Sequence, residues 1–330
     1  MRRNRRLFSS FPLGSSICVL LLLLPSLGSA QDFPNKAITL YCGYDAGAGT
    51  DITTRALAAE AEKILGAPIV VENKPGGGST VCAALVASKK GDGYTLGLGS
   101  SQVITASPHL MTLSYNPLKD FTPIMQYSYY VSGLIVLNES PFKTIQDLIA
   151  YSKEHPGMSY GSTGMYGQSH LSTAQLAKCK GLQLKHVPFK GGAAVATALL
   201  GKHVDMVTSG DRCMNYVKKG VMRLLVNYNI EKRDPSFPDV PILTELGCRD
   251  VPPNRIFIFG PKGVSDPVST KLTDAFQKAS ETPRFQKILK DLDLPYGFKD
   301  RSQLEKELVD EYEFLKAFFN EIGVKKEQGS

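Results

Sequence analysis

Past its first thirty residues, the chain alternates short β-branched runs with helical patterns over almost its whole length, and few folds accommodate that rhythm. Residues 37–42 (AITLYC), 68–72 (PIVVE) and 94–98 (YTLGL) read as strands, with Ala-rich helical patterns over 51–65 and 80–89 between them. The rhythm resumes with strand 134–137, helix 145–154, strand 158–161, helices 169–180 and 193–200, and strands 204–208 and 222–227. A last strand over 255–259 leads into three helical patterns. Such alternation predicts an α/β fold with a mostly parallel sheet and helices on both faces.

Two breaks interrupt the pattern. Pro117, Pro123 and a tyrosine cluster disturb it between Pro108 and Val131, and prolines crowd the stretch from Pro235 to Pro253. They predict an outer domain made of residues 31–129 and 253–330, with a second α/β domain, 130–252, inserted into it. About 300 residues suit two domains of this size. A chain that crosses between two domains more than once leaves a cleft over a hinge, and such clefts are preferred places for small ligands.

The first thirty residues read as an export signal. Arg2, Arg3, Arg5 and Arg6 precede the apolar run ICVLLLLL, and Gly28 and Ala30 supply small residues suited to cleavage. The run is far shorter than the ~20 residues that span a bilayer. Without those four arginines the excess of 38 basic over 31 acidic residues falls from seven to three. The basic residues are also scattered, so nucleic acid is not an expected partner. Five cysteines remain, Cys42, Cys82, Cys179, Cys213 and Cys248, with no CxxC or zinc-like spacing. One or two disulfides and at least one unpaired thiol are compatible with an oxidising compartment, and the spacing assigns no pairing.

The stretch GYDAGAGTDITTR, residues 43–55, joins a strand to a helix as phosphate loops do. Its spacing excludes the nucleotide motifs. A G-x-G-x-x-G pattern from Gly47 would need glycine where Ile52 stands, and a Walker A loop from Gly43 would need Gly-Lys where Ala48 and Gly49 stand. What remains is either a tight turn or a backbone cradle for some other anion at a helix N-terminus, which Thr50 or Asp51 would cap. Three successive small residues, Gly47, Ala48 and Gly49, favour the cradle.

A second loop, SYGSTGMYGQSH (159–170), has the same chemistry. Gly161, Gly164 and Gly167 free the backbone, while Ser162, Thr163, Gln168 and Ser169 supply short polar side chains. It is no nucleophile elbow, because Tyr160 occupies the first glycine position of G-x-S-x-G around Ser162. His170 has no nearby Asp to orient it and reads as a residue packing the turn; the other histidines form no metal-ligand pattern. One anion cradle per domain describes a clamp on a small carboxylate better than an enzyme.

In their order and spacing, FPNKAITLYCGYDAGAGTDITTR, LGAPIVVENKPGGGS, GDGYTLGLGSS, YNPLKDFTPI, SYGSTGMYGQSHLS, HVPFKGG, PDVPILTELG and FGPKGVSDPVSTKL resemble the Bug-type substrate-binding proteins of tripartite tricarboxylate transporters. The resemblance runs over residues 34–325. It implies a two-domain periplasmic binding protein of the second type, monomeric, without cofactor, metal or catalytic group. Such a protein takes a small organic acid to permease subunits in the membrane. Carried onto this chain, the ligand-binding residues would be Gly47, Ala48, Gly49, Thr50 and Asp51 on one side, and Ser162, Thr163, Gly164, Gln168 and Ser169 on the other. Ser100 and Ser101 would lie at the same sheet edge, and Asp51 would orient the loop rather than touch an anion.

The chain departs from the family at the mouth of the first loop, where Pro-Phe-Ala-Ala is replaced by Gly43, Tyr44, Asp45 and Ala46. Asp45 is read either as a solvated loop residue or as the group that meets an amino or hydroxyl substituent of the ligand. Asp211 is a second acidic candidate. Tyr127, Tyr129 and Tyr130 read as hinge packing, or alternatively as a flat wall for an aromatic acid. Two other functions stay open at this point: an exported enzyme using Ser162 or His170, and a binding protein serving as the sensor arm of a signalling system.

Overall fold

In a computed structural model the protein is described over residues 33–228, 232–324 and 326, with the side chains of Asp211 and Arg212 outside that description. The expected signal segment lies outside the described residues. The chain first lays down β1 (Ile38–Cys42), α1 (Gly49–Leu65), β2 (Ile69–Asn73), α2 (Thr80–Ala87), β3 (Thr95–Ser100), the short α3 (Gln102–Thr105) and α4 (Ser107–Leu110), and β4 (Phe121–Tyr130). It then builds β5 (Ser132–Leu137), α5 (Ile145–Glu154), β6 (Met158–Ser162), α6 (Gln168–Lys180), β7 (Leu184–Pro188), α7 (Gly192–Leu200), β8 (Met206–Ser209), α8 (Asp211–Lys218) and β9 (Met222–Tyr228). It returns through β10 (Asn254–Pro261), α9 (Asp266–Ser280), α10 (Pro283–Asp291), β11 (Tyr296–Lys299) and α11 (Arg301–Glu321).

These strands form two sheets, ordered β11-β4-β10-β3-β1-β2 and β7-β6-β8-β5-β9. Neither is mostly parallel, which corrects the expectation from alternation. β1 runs parallel to β2 and β3, but β10 is antiparallel to both β3 and β4, and β11 to β4. In the second sheet β6 is parallel to β7 and β8, while β5 is antiparallel to β8 and β9.

Alternate residues of β10 feed opposite cores, as the two-residue period of a strand requires. Ile256 and Ile258 of β10 join Leu57, Leu272, Phe276 and Phe285 under α1, α9 and α10. Phe257 and Phe259 join Cys82, Val86, Leu304 and Leu308 under α2 and α11 on the other face. β4 lies inside the stretch where the sequence pattern breaks, and it passes straight through Pro123. That residue pairs with Phe259 beside a register shift, and β11 reaches only Gln126 and Ser128, so no partner needs the missing N–H.

Candidate functional site

The candidate loops leave the carboxyl ends of parallel strands, where ligands gather in open α/β sheets. β1 and β3 run in step, Cys42 opposite Leu98, so Gly43–Tyr44 and Gly99–Ser100 emerge side by side. Gly43 donates to the Leu98 carbonyl at 3.0 Å and accepts at 3.0 Å from the hydroxyl of Ser79. A Cβ at Gly43 would lie 2.6 Å from that hydroxyl, so glycine is required there. Gly47 turns the chain with φ +82°.

α1 then begins at Gly49, two residues earlier than the sequence suggests, and its N-cap is Ala48. Neither Thr50 nor Asp51 occupies the cap position, and no side chain caps this end. The Thr50 hydroxyl instead meets that of Tyr130 at 2.6 Å. Asp51, 3% exposed, folds back beneath the loop. One of its oxygens accepts the Gly47 N–H at 2.9 Å, the other accepts from Asn73 at 2.7 Å, and Arg55 pairs with it at 3.0 Å. The same Asn73 amide donates to the Tyr44 carbonyl at 2.9 Å. Burial raises the Asp51 carboxyl, but the Gly47, Asn73 and Arg55 bonds outweigh it and its pKa lies below the ordinary value.

Asp51 therefore fixes the shape of the loop with both oxygens engaged. Asp51→Ala is expected to cost about 2 kcal/mol, the scale of a charge-assisted hydrogen bond lost, measured by urea unfolding at neutral pH. Because the folded pKa is depressed, this stabilisation is present above the ordinary carboxyl value and fades as pH falls through the folded one. Asp45, by contrast, is exposed, and only its carbonyl is engaged, accepting the Ala48 N–H at 3.1 Å.

The second loop repeats the plan. β6 and β8 run in step, Ser162 opposite Thr208. α6 begins at Gln168 behind Gly167, again with no side-chain cap, so the first-turn N–H groups have no acceptor inside the helix. Thr163 and Ser169 join hydroxyls at 3.2 Å. The Ser162 hydroxyl donates to the Gly164 carbonyl at 2.9 Å and meets His186 Nε2 at 2.7 Å. Gln168 keeps a buried Nε2 without a partner. Asp211 opens α8 two residues past the end of β8, and its side chain lies outside the described residues.

A cavity of about 20 Å³ between the two sheets is lined by Ser101, Gln102 and Asn254 from one and Tyr166 and Gln168 from the other. Ser101 is tied to β10 by a reciprocal pair, its N–H to the Arg255 carbonyl at 2.8 Å and the Arg255 N–H to its hydroxyl at 3.0 Å. Tyr127 is fully buried, bonded to Thr53 at 2.8 Å and edge-on to Phe285, which removes it from any aromatic wall. Tyr130, read from the sequence as hinge packing or wall, supports the first loop, and Ser79, Asn73 and His186 support the loops without a role read for them beyond their place in the segments LGAPIVVENKPGGGS and HVPFKGG.

Residues 53–324 match the profile of the tripartite tricarboxylate transporter family receptor, TctC. The chain is 38% identical over 309 residues to the UPF0065 protein in the gbd 5′ region of Cupriavidus necator, covering 93% of this chain and 94% of that one. The periplasmic binding protein BugD superposes with a TM-score of 0.71 at 27% identity, covering 89% of this chain and 100% of that one. MatC from Rhodopseudomonas palustris, solved with bound malate, does so with a TM-score of 0.68 at 26% identity, covering 87% and 99%. With its two mixed α/β sheets and this extent of similarity, the chain belongs to the TctC/Bug family of periplasmic transporter receptors, which are binding proteins and not enzymes.

Proposed function

We propose that the chain is exported by its first thirty residues and carries a small organic acid to the permease subunits of a tripartite tricarboxylate transporter. It would hold the acid between the two sheets and close on it by bending where the chain crosses near residues 129–130 and 252–253. One observation carries this reading. The helices that start beside the cleft at α1 and α6 have Ala48 and Gly167 as N-caps and no side-chain acceptor, a lack they share with α2, α7, α8 and α9 but not with α5, α10 and α11, which are capped by Thr144, Thr282 and Asp300. Two uncapped N-termini offer N–H donors and the positive ends of helix dipoles to a carboxylate at each side. That MatC is solved with malate supports the ligand class.

The candidate contacts are the loop 44–50 with Ser100 and Ser101 on one side, and Ser162 to Gly164, Gln168, Ser169 and Asp211 on the other. Asp45, the exposed departure from the family pattern, would meet an amino or hydroxyl group and so choose among acids. A hydrolytic role for Ser162 is disfavoured by its own hydrogen bonds. Its hydroxyl lies 2.9 Å from the Gly164 carbonyl, which can only accept, as well as 2.7 Å from His186 Nε2, so the carbonyl competes with the imidazole for its one hydrogen.

A thermal-shift panel of C4 to C6 dicarboxylates, hydroxy acids, amino acids and aromatic acids tests the proposal, since a ligand that binds only the folded state raises Tm. The expected result is a shift for one class, with the ligand recovered unchanged by mass spectrometry. Asp45→Asn is expected to weaken the preferred acid while sparing an unsubstituted analogue. A panel that shifts nothing, or a ligand recovered as product, overturns the reading.

A further inference from the structure

Behind the second loop, two imidazoles from different elements lie face to face. His170 of α6 and His186 of β7 have ring centroids 3.8 Å apart and planes within 2°. Each makes one hydrogen bond to the loop, and for His170 the direction fixes the protonation. His170 Nδ1 accepts the Tyr166 N–H at 2.8 Å, so that nitrogen is bare and the ring is neutral with its proton on Nε2. The Ser162 hydroxyl lies between the Gly164 carbonyl, which can only accept, and His186 Nε2; with its one hydrogen on Gly164, it leaves His186 to present Nε2–H.

Both bonds fall on the parts of the loop that need support. Tyr166 sits at φ +57°, a left-handed conformation that is strained for a bulky residue and persists only when its surroundings impose it. Ser162 ends β6 and turns the Gly164 carbonyl back toward itself. Between these anchors lies the segment that leads into the uncapped first turn of α6.

We propose that His170 and His186 are positioning residues: a stacked, uncharged imidazole pair that holds residues 162–167 in the shape that presents the α6 N-terminus to the ligand. This rests on the reading of that loop as one side of the carboxylate clamp. Protonating His170 would turn the acceptor facing Tyr166 into a second donor and place a charge against the other ring. The titratable groups facing the pair are Tyr160 of β6, 4.9 Å from His186 and 6.1 Å from His170, and Tyr166, 5.6 Å from His170. Among the described residues no carboxylate shifts either ring. Burial, then the neighbouring His186, hold His170 down at about 4, and burial also lowers His186. With folded values below the ordinary 6.5, the brace is intact at neutral pH and is lost as pH falls through the folded values.

The test is imidazole ¹⁵N NMR of the full chain at pH 7, with amide exchange at Tyr166 and malate as the binding probe. Both rings are expected to show the Nε2–H neutral pattern. His170→Leu should lower Tyr166 protection by about tenfold, the equivalent of one hydrogen bond, while His170→Asn, which keeps an acceptor near the Nδ1 position, should retain it. His186→Gln should likewise preserve what His186→Leu loses. A proton on His170 Nδ1, or equal protection in His170→Leu and the wild type, overturns the proposal. If the wild type shows both NMR signatures but binds neither malate nor any acid of the panel, the brace stands and the receptor reading falls. If malate binds wild type and His170→Leu equally well down to pH 4, the brace has no role in binding and the proposal fails.

Discussion

Arg255→Met is expected to destabilise the protein by about 3–5 kcal/mol, because it strips the counter-charge from a carboxylate of α11 buried against the first sheet. Arg255 is 7% exposed and Glu311 5%. The guanidinium reaches Glu311 at 2.6 Å, Gln126 at 2.9 Å and Glu307 at 2.6 Å, bolting β10 to both β4 and α11. Burial raises the Glu311 carboxyl to about 7 even though Arg255 opposes the shift, and one of its oxygens has no hydrogen-bond partner. Taking Arg255 away leaves Glu311 either charged and unpaired or forced to take up a proton, while Glu307 keeps Lys299.

The sign of the pH dependence follows. A carboxyl whose folded pKa lies above its ordinary value contributes stability that is full below that ordinary value and lost as pH rises through the folded one. Removing Arg255 pushes Glu311 further up, so the variant should lose more at pH 8 than at pH 5. The double variant Arg255→Met/Glu311→Leu should recover most of the loss, since a buried pair replaced by apolar groups is often neutral or better. Urea denaturation at the two pH values measures all of this. An Arg255→Met loss below about 1 kcal/mol at pH 8, the scale of an exposed pair, would mean that the network is effectively solvated.

How far the sequence reveals this protein depends on whether a feature is local. Both candidate loops are legible as loops, because glycines between a β-branched run and an Ala-rich helix have few other readings. Their supports are not: Asn73 under the first loop and His186 behind the second come from neighbouring strands, and nothing local marks them. β7 (LKHVP) is an exposed edge strand without alternation, so it reads as linker. α8 is only eight residues long, and its start in Gly210–Asp211 looks like a turn. The failure of the parallel-sheet expectation has a topological cause. Alternation reports the order of elements, but β5 and β10 each follow a crossing between sheets and enter as middle strands, antiparallel to both neighbours. The two breaks in the rhythm and the family resemblance both imply two domains; strand direction is what the rhythm does not record.

Opening the disulfide is the second large effect expected. The spacing of five cysteines assigns no pairing, and the structure joins Cys179, near the end of α6, to Cys248, 69 residues on. Cys42, Cys82 and Cys213 are buried and stand outside this bond, so among the described residues Cys179–Cys248 is the disulfide that a reductant can open. A loop of 69 residues held closed in the unfolded chain corresponds to about 4 kcal/mol in the chain-entropy account. The native geometry does not depend on the bond alone. Lys180 donates to the Leu246 carbonyl at 2.5 Å and Gln175 to that of Arg249 at 3.1 Å across the same junction. The Cys179→Ser/Cys248→Ser variant should therefore fold to the same structure and lose stability through its freer unfolded state. The bond encloses β7 through β9, so the loss should fall on the unit built around the second sheet. At ~2–4 °C per kcal/mol for units of this size, its Tm should fall by about 10 °C. Dithiothreitol should reproduce that fall in the wild type and leave the double variant unmoved. Since the effect acts on the unfolded ensemble, ligand affinity well below the transition should be unchanged. A variant that keeps its Tm would show that the unfolded chain is already held together in this region, and one that loses affinity instead would place the bond in the binding mechanism.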